Sequence, residues 1–180
     1  MASQYQGWED DLRFILAAAD ELKQYLDSSV VIWPMRGEVM PLSPANFMFA
    51  QFRLGDLIEG PVRKALNDIN TTINAHRIRW ERRIESELPI RINQYAGLVE
   101  DLIEYGKIDA SYATSISVRV KVALLLQAAT NPVESALLTR LNGLDKALET
   151  KLVPGGFVWD VGLQEKFTPE KFGYLYVMGK

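Results

Sequence analysis

Hydrophobic residues recur every three or four positions over most of this chain, the spacing that gathers side chains on one face of an α-helix. Trp8, Leu12, Ile15, Leu16, Ala19, Leu22 and Leu26 predict a first helix over Trp8–Asp27. Glu9, Asp10 and Asp11 stand in its first turn, where the helix dipole favours negative charge. Ser43-Pro44 supplies a capping hydroxyl and a proline suited to the first helical position. The helix it opens runs to about residue 58, before Gly60-Pro61. Phe47, Met48, Phe49, Phe52, Leu54, Leu57 and Ile58 leave it little polar face, so it belongs in the core or against a partner.

The longest pattern covers 61–105, with a seam of Leu66, Ile69, Ile73, His76, Trp80, Ile84, Leu88, Ile92, Tyr95, Val99 and Leu102. Three consecutive steps of four residues between Trp80 and Ile92 make a stutter, which locally unwinds a heptad seam. Gly106 is the expected stop. Pro89 removes a helical hydrogen bond and crowds a carbonyl, at about 3 kcal/mol. It predicts a kink or a clean break, with the chain carrying on in its old direction because no Gly, Asn or Asp adjoins it to build a reversal. Asn131-Pro132 followed by Glu134 predicts another helix over 132–151, with Leu137, Leu138, Leu141, Leu144 and Leu148 on its apolar face. Segment 115–122 alternates strictly, the period of a half-buried strand, but 123–129 continues it without a turn signal, and helix is the reading adopted.

Two stretches have β texture. Val30-Val31-Ile32-Trp33, a turn at Arg36-Gly37 and Val39-Met40 suggest an edge hairpin or extended arm, since Pro34 and Pro41 forbid a central strand. Beyond Pro154-Gly155-Gly156, Phe157-Val158-Trp159 and the 174–178 run are strand candidates, with Thr168-Pro169-Glu170 opening a turn of helix between them. The expected fold is mainly α: an elongated helical bundle built on a long kinked antiparallel helix hairpin, 61–105 against 110–151. A small β appendage would come from the 30–42 and 157–178 segments. One domain is expected over 1–180, with the bundle at 8–153 and the appendage at 154–180.

Composition then narrows the chemistry. The 180 residues are 48% hydrophobic and 24% charged, enough to build a core of ordinary size. The absence of cysteine removes disulfides, thiol nucleophiles and cysteine-held metals, and fits a reducing, cytoplasmic setting. The first residues have neither the basic start nor the apolar stretch of a signal peptide. The longest plain apolar run, 122–126, falls far short of the ~20 residues of a membrane span. A net charge of −3 weighs against a dedicated nucleic-acid binder.

Candidate functional residues are few. His76, the only histidine, lies on the apolar seam between Ile73 and Trp80, and reads first as a packed histidine, second as a ligand contact beside Trp80. Glu81 with Glu85, and Glu100 with Glu104 beside Asp101, share helix faces, but like-charged pairs are common on solvated faces. No residue set calls for a metal or another cofactor. Arg77, Arg79, Arg82 and Arg83 form the densest charged stripe. Arginine there could meet an acidic partner or phosphates, or could cover apolar surface beside the seam and pair with Glu81, Glu85 and Glu87. Trp33, Met35, Met40, Phe47, Met48, Phe49 and Phe52 gather rigid and adaptable apolar side chains, suited to packing the arm or to a binding surface, with Trp33 and Phe49 the candidate contacts.

These observations point to a non-enzymatic interaction or assembly module, as a homo-oligomer or with a protein partner. The alternatives are a magnesium-dependent helical enzyme acting on nucleotides or small molecules through helix carboxylates, and nucleic-acid binding through the arginine stripe.

Overall fold

The computed structural model describes residues 5–37, 39–105 and 110–179. They form α1 (Trp8–Asp27), α2 (Pro44–Leu54), α3 (Gly60–Ala75), α4 (Arg77–Tyr105), α5 (Ala110–Ser115), α6 (Ser117–Ala128), α7 (Ser135–Glu149), β1 (Leu152–Phe157), α8 (Pro169–Phe172) and β2 (Tyr176–Gly179). The fold is mainly α, with a small antiparallel sheet in which Leu152 pairs with Gly179, Val153 with Met178 and Pro154 with Val177. An irregularity follows before Phe157 meets Tyr176. Only glycine fits at position 155, because a Cβ there would lie 2.7 Å from the backbone of Val177 and Met178. No helix among the described residues is long and apolar enough to cross a membrane.

Most of the expected seam is core, with Leu66, Ile73 and His76 only partly buried. Ile69, Trp80, Ile84, Leu88, Ile92, Tyr95, Val99 and Leu102 are buried, and they join Phe14, Ile15, Leu22, Phe47 and Phe49 in one cluster. α1 lies against α2 and α3, whereas α4 lies against α6 and α7, and α2 touches both α4 and α6. The alternating segment 115–122 is helical. Val118, Val120 and Val122 are all buried and Arg119 and Lys121 partly so, because α6 is contacted by α2 on one side and α4 on another. With neighbours on several sides, alternation no longer separates a wet face from a dry one.

The break in the long helix falls at His76, not at Pro89. α4 continues through Pro89 because Ile84, Leu88, Ile92 and Tyr95 are all buried on one seam. At roughly 1.5–3 kcal/mol for each such side chain, that burial outweighs the proline's cost of about 3 kcal/mol. His76, with φ −118° and ψ 31°, ends α3. The preceding turn is Asn70-Thr71-Thr72-Ile73-Asn74, a run of weak helix formers. The Thr71 and Thr72 hydroxyls donate back to the carbonyls of Asn67 and Asp68 at 2.9 Å, a habit that bends helices. The two halves then take different partners, α3 against α1 and α4 against α6 and α7.

Three further expectations are corrected. The 30–42 arm adds no strand to the sheet; it closes on itself through a single bridge between Trp33 and Leu42, and its prolines deny it a longer ladder. β1 starts at Leu152 rather than Phe157, running through the Pro-Gly-Gly segment. α7 starts at Ser135 rather than Pro132, with Glu134 at its N-cap, while the Asn131 side-chain amide donates to Glu85 at 2.5 Å. The expected stop at Gly106 lies outside the described residues.

Candidate functional site

Most of the arginine stripe is engaged inside the protein. Arg77 pairs with Glu81 on its own helix at 2.8 Å. Arg79 pairs with Asp27, and Arg83 donates to the Ser28 carbonyl while its guanidinium lies 5.4 Å from the Tyr25 ring centre. Asp27 and Ser28 mark the C-terminal end of α1, which has no basic residue in its own last turn, so α4 brings the cations that oppose its dipole. Arg82 is exposed. Trp80 is buried edge-on to Phe47 at 5.8 Å, and the His76 Nδ1 lies 3.0 Å from the Thr72 carbonyl. Trp33 donates its indole N–H to Glu21 at 2.6 Å. Phe49 is buried under the Arg53 guanidinium, 4.4 Å from its ring centre. The eight residues singled out from the pattern therefore do not meet in one site. Glu85, Glu100, Asp101 and Glu104 are exposed, and no group of three or more metal-binding side chains occurs among the described residues.

Three other arginines hold carboxylates, two of them fully buried and the third half-buried. Glu87 is fully buried: its Oε1 accepts from the Ser43 hydroxyl at 2.7 Å and from Arg91 Nε at 2.8 Å, and its Oε2 accepts from the Ala45 amide at 2.8 Å. Arg91 also donates to Gln94 at 2.9 Å and to Asn46 at 3.3 Å. Since Ser43 caps α2, Glu87 places a negative charge on the N-terminus of that helix. Asp11, also fully buried, accepts from the Tyr5 hydroxyl and pairs with Arg53. Burial raises the Asp11 carboxyl above its ordinary range, against the pull of Arg53. Close to these groups Lys121, its amine 5.2 Å from the Phe49 ring centre, is pushed down to about 8 by burial and by the charges of Arg91 and Arg53.

The third pair opens onto space. Arg119 from α6 grips Asp145 from α7 with two bonds, of 2.8 and 2.9 Å, and the Tyr95 hydroxyl from α4 adds a third at 2.8 Å. The Arg119 guanidinium stacks 5.2 Å from the Tyr174 ring centre. Burial works against the Arg119 cation, but the Asp145 hydrogen bonds hold it above its ordinary value. Burial, then the Asp145 charge, raises Tyr95, so its hydroxyl stays protonated. Above this base lies a cleft of about 570 Å³ between the end of α7, the two strands and α8. Leu148, Leu152, Val153, Tyr174, Tyr176 and Val177 line it, with Glu149 and Lys171 also on the lining. Within the wall, the Tyr174 hydroxyl is buried and has no hydrogen-bond partner among the described residues. Its backbone carbonyl, by contrast, accepts from the Tyr112 hydroxyl at 2.8 Å.

Sequence reasoning missed this site because its parts come from four separate segments. Arg119 stands in the polar half of the 115–122 alternation, and Asp145 falls outside the leucine pattern of 132–151. A second hollow of about 650 Å³ lies between α2 and α6, walled by Met48, Phe52 and Leu124, but its lysine, Lys166, is occupied by the carbonyls of Arg53 and Leu54. Comparison with protein-family models, curated proteins and solved structures gives no match.

Proposed function

We propose that this protein is a non-enzymatic binding module whose receptive site is the cleft between α7, α8 and the β1–β2 sheet. The supporting observation is the cleft itself, with apolar walls over a compact polar base. Its size falls in the ~300–1,000 Å³ range of small-molecule sites, which pair mostly apolar linings with a few fixed polar groups. The base is a good foundation because three helices are tied together there by the Arg119, Asp145 and Tyr95 bonds. A reducing, cytoplasm-type setting belongs to this reading through the cysteine-free composition. The test is to follow the methyl resonances of Leu148, Leu152, Val153 and Val177 while screening small apolar and amphiphilic compounds. Binding should perturb these methyls together and leave those at the α2–α6 hollow unmoved. Hits that cluster elsewhere would defeat the proposal.

A second reading, self-association, draws on a different observation. Val161 is 76% exposed and Met178 55% exposed, large values for apolar side chains. Val161 shares a shallow depression with Pro169 and Tyr176, and Met178 follows Tyr176 by two positions on β2, the spacing of one strand face. A second copy of the chain could cover this surface. Light scattering across a concentration series should then report dimers that Val161→Asp and Met178→Asp abolish. A monomer at every concentration would end this reading.

A further inference from the structure

The chemistry of the cleft narrows what it would take, an inference that rests on the cleft being the receptive site. Its lining carries two cations, Arg119 and Lys171, and two carboxylates, Asp145 and Glu149. Arg119 and Asp145 neutralise each other through two bonds, and the Asp145 Oδ1 is further occupied by Tyr95. Lys171 donates to Gln127 at 3.1 Å and leans over the Phe172 ring. The two cations and two carboxylates of the lining cancel in number, with Lys171 and Glu149 exposed, so a charged ligand would lose its hydration in an apolar space and meet no net opposite charge. The walls favour a hydrocarbon or aromatic body.

One buried polar atom of the lining residues has no partner among the described residues, the Tyr174 hydroxyl. A buried donor without an acceptor costs roughly 1–3 kcal/mol, and native proteins rarely keep one without a use. The phenol is held in place from two sides, by Arg119 over its ring and by Tyr112 on its carbonyl. The residue lines the cleft while its oxygen lies beneath the surface, so an acceptor reaches it by displacing the side chains over it. We propose that the cleft binds an uncharged amphiphile, an apolar body bearing one carbonyl-type acceptor, and that the Tyr174 hydroxyl donates to that acceptor.

Three probes of similar size separate the contributions: benzylacetone, a neutral ketone; butylbenzene, which lacks an acceptor; and phenylbutyrate, an anion. Titration of the full chain, followed by calorimetry and by the cleft methyl resonances, should rank benzylacetone first. Tyr174→Phe should lower its affinity roughly three- to tenfold, the worth of one net hydrogen bond, and leave butylbenzene unchanged. The same variant should melt no lower than the parent, because it deletes an unsatisfied hydroxyl rather than a bond. If benzylacetone and butylbenzene bind equally and Tyr174→Phe alters neither, the acceptor inference fails while the cleft stands. Phenylbutyrate binding tightest would overturn the neutral-ligand inference. Silence of the cleft methyls with all three probes would defeat the binding-site reading and this inference with it.

Discussion

Two arginine–carboxylate pairs sit at opposite ends of one design. At Glu87 and Arg91 the charges join α2 to α4, and hydroxyl, amide and guanidinium donors converge on a carboxylate from which solvent is excluded. At Asp145 and Arg119 the charges join α6 to α7 and α4, but the pair forms the floor of open space and leaves the Tyr174 hydroxyl beside it without an acceptor. The first arrangement is closed and can only hold helices together. The second also holds helices, and the buried hydroxyl beside it has no partner among the described residues. Arginine–carboxylate pairing is common to both; what distinguishes them is whether the neighbouring donors all have partners.

The largest effect should come from opening the closed pair. Glu87→Ala leaves Arg91 buried without its partner and α2 without its N-terminal charge, and should cost about 3–5 kcal/mol in urea unfolding. Lys121 tests a third state, a cation beside the Glu87–Arg91 and Asp11–Arg53 networks with no carboxylate among the described residues hydrogen-bonded to it. The unfolded lysine keeps its proton to about 10.5 while the folded one releases it near 8, so between those values the unfolded state binds more protons and stability rises with pH. Lys121→Met should therefore stabilise the protein by about 3 kcal/mol at neutral pH and flatten that rise. Persistence of the slope in the variant would assign it to another group. Tyr25, Tyr95 and Tyr112, raised by burial, act with the opposite sign. Their contribution is full below the ordinary tyrosine value of about 10 and is lost above it, so stability should peak between the two regimes and collapse in stronger base.

Smaller effects probe the open pair. Asp145→Ala should cost about 2 kcal/mol, less than Glu87→Ala, because the Asp145 side chain keeps 28% exposure and water can reach what remains. Equal costs would remove the distinction between the two stations. Tyr174→Phe should be neutral or stabilise by up to ~1 kcal/mol, the reverse of what deleting a used hydroxyl does. Arg82→Ala, from the stripe most visible in the sequence, should stay within about 0.5 kcal/mol of the parent. A larger loss would restore a role for that stripe.

Period and caps carried most of the fold. The spacing of Leu12, Ile15 and Leu22, or of Ile84, Leu88 and Ile92, reflects helix geometry that every residue obeys locally. Ser43-Pro44 opens α2 as its chemistry demands, with the Ser43 oxygen accepting from the Asn46 amide. The seam from Trp80 to Leu102 likewise foretold buried side chains, whereas Ile73 and His76, beside the break, are only partly buried. What required the assembled structure were outcomes set by competition between distant segments. Pro89 stays helical because the seam's burial exceeds the proline's cost, whereas a weak turn at Thr71 and Thr72 yields where α3 and α4 find different partners. The cleft belongs to the same category. Tyr95, Arg119, Asp145 and Tyr174 share no periodicity, and their meaning arises from tertiary distances of a few ångströms. A sequence fixes the cost of burying each polar group; only packing decides which of those groups finds a partner and which is left waiting for one.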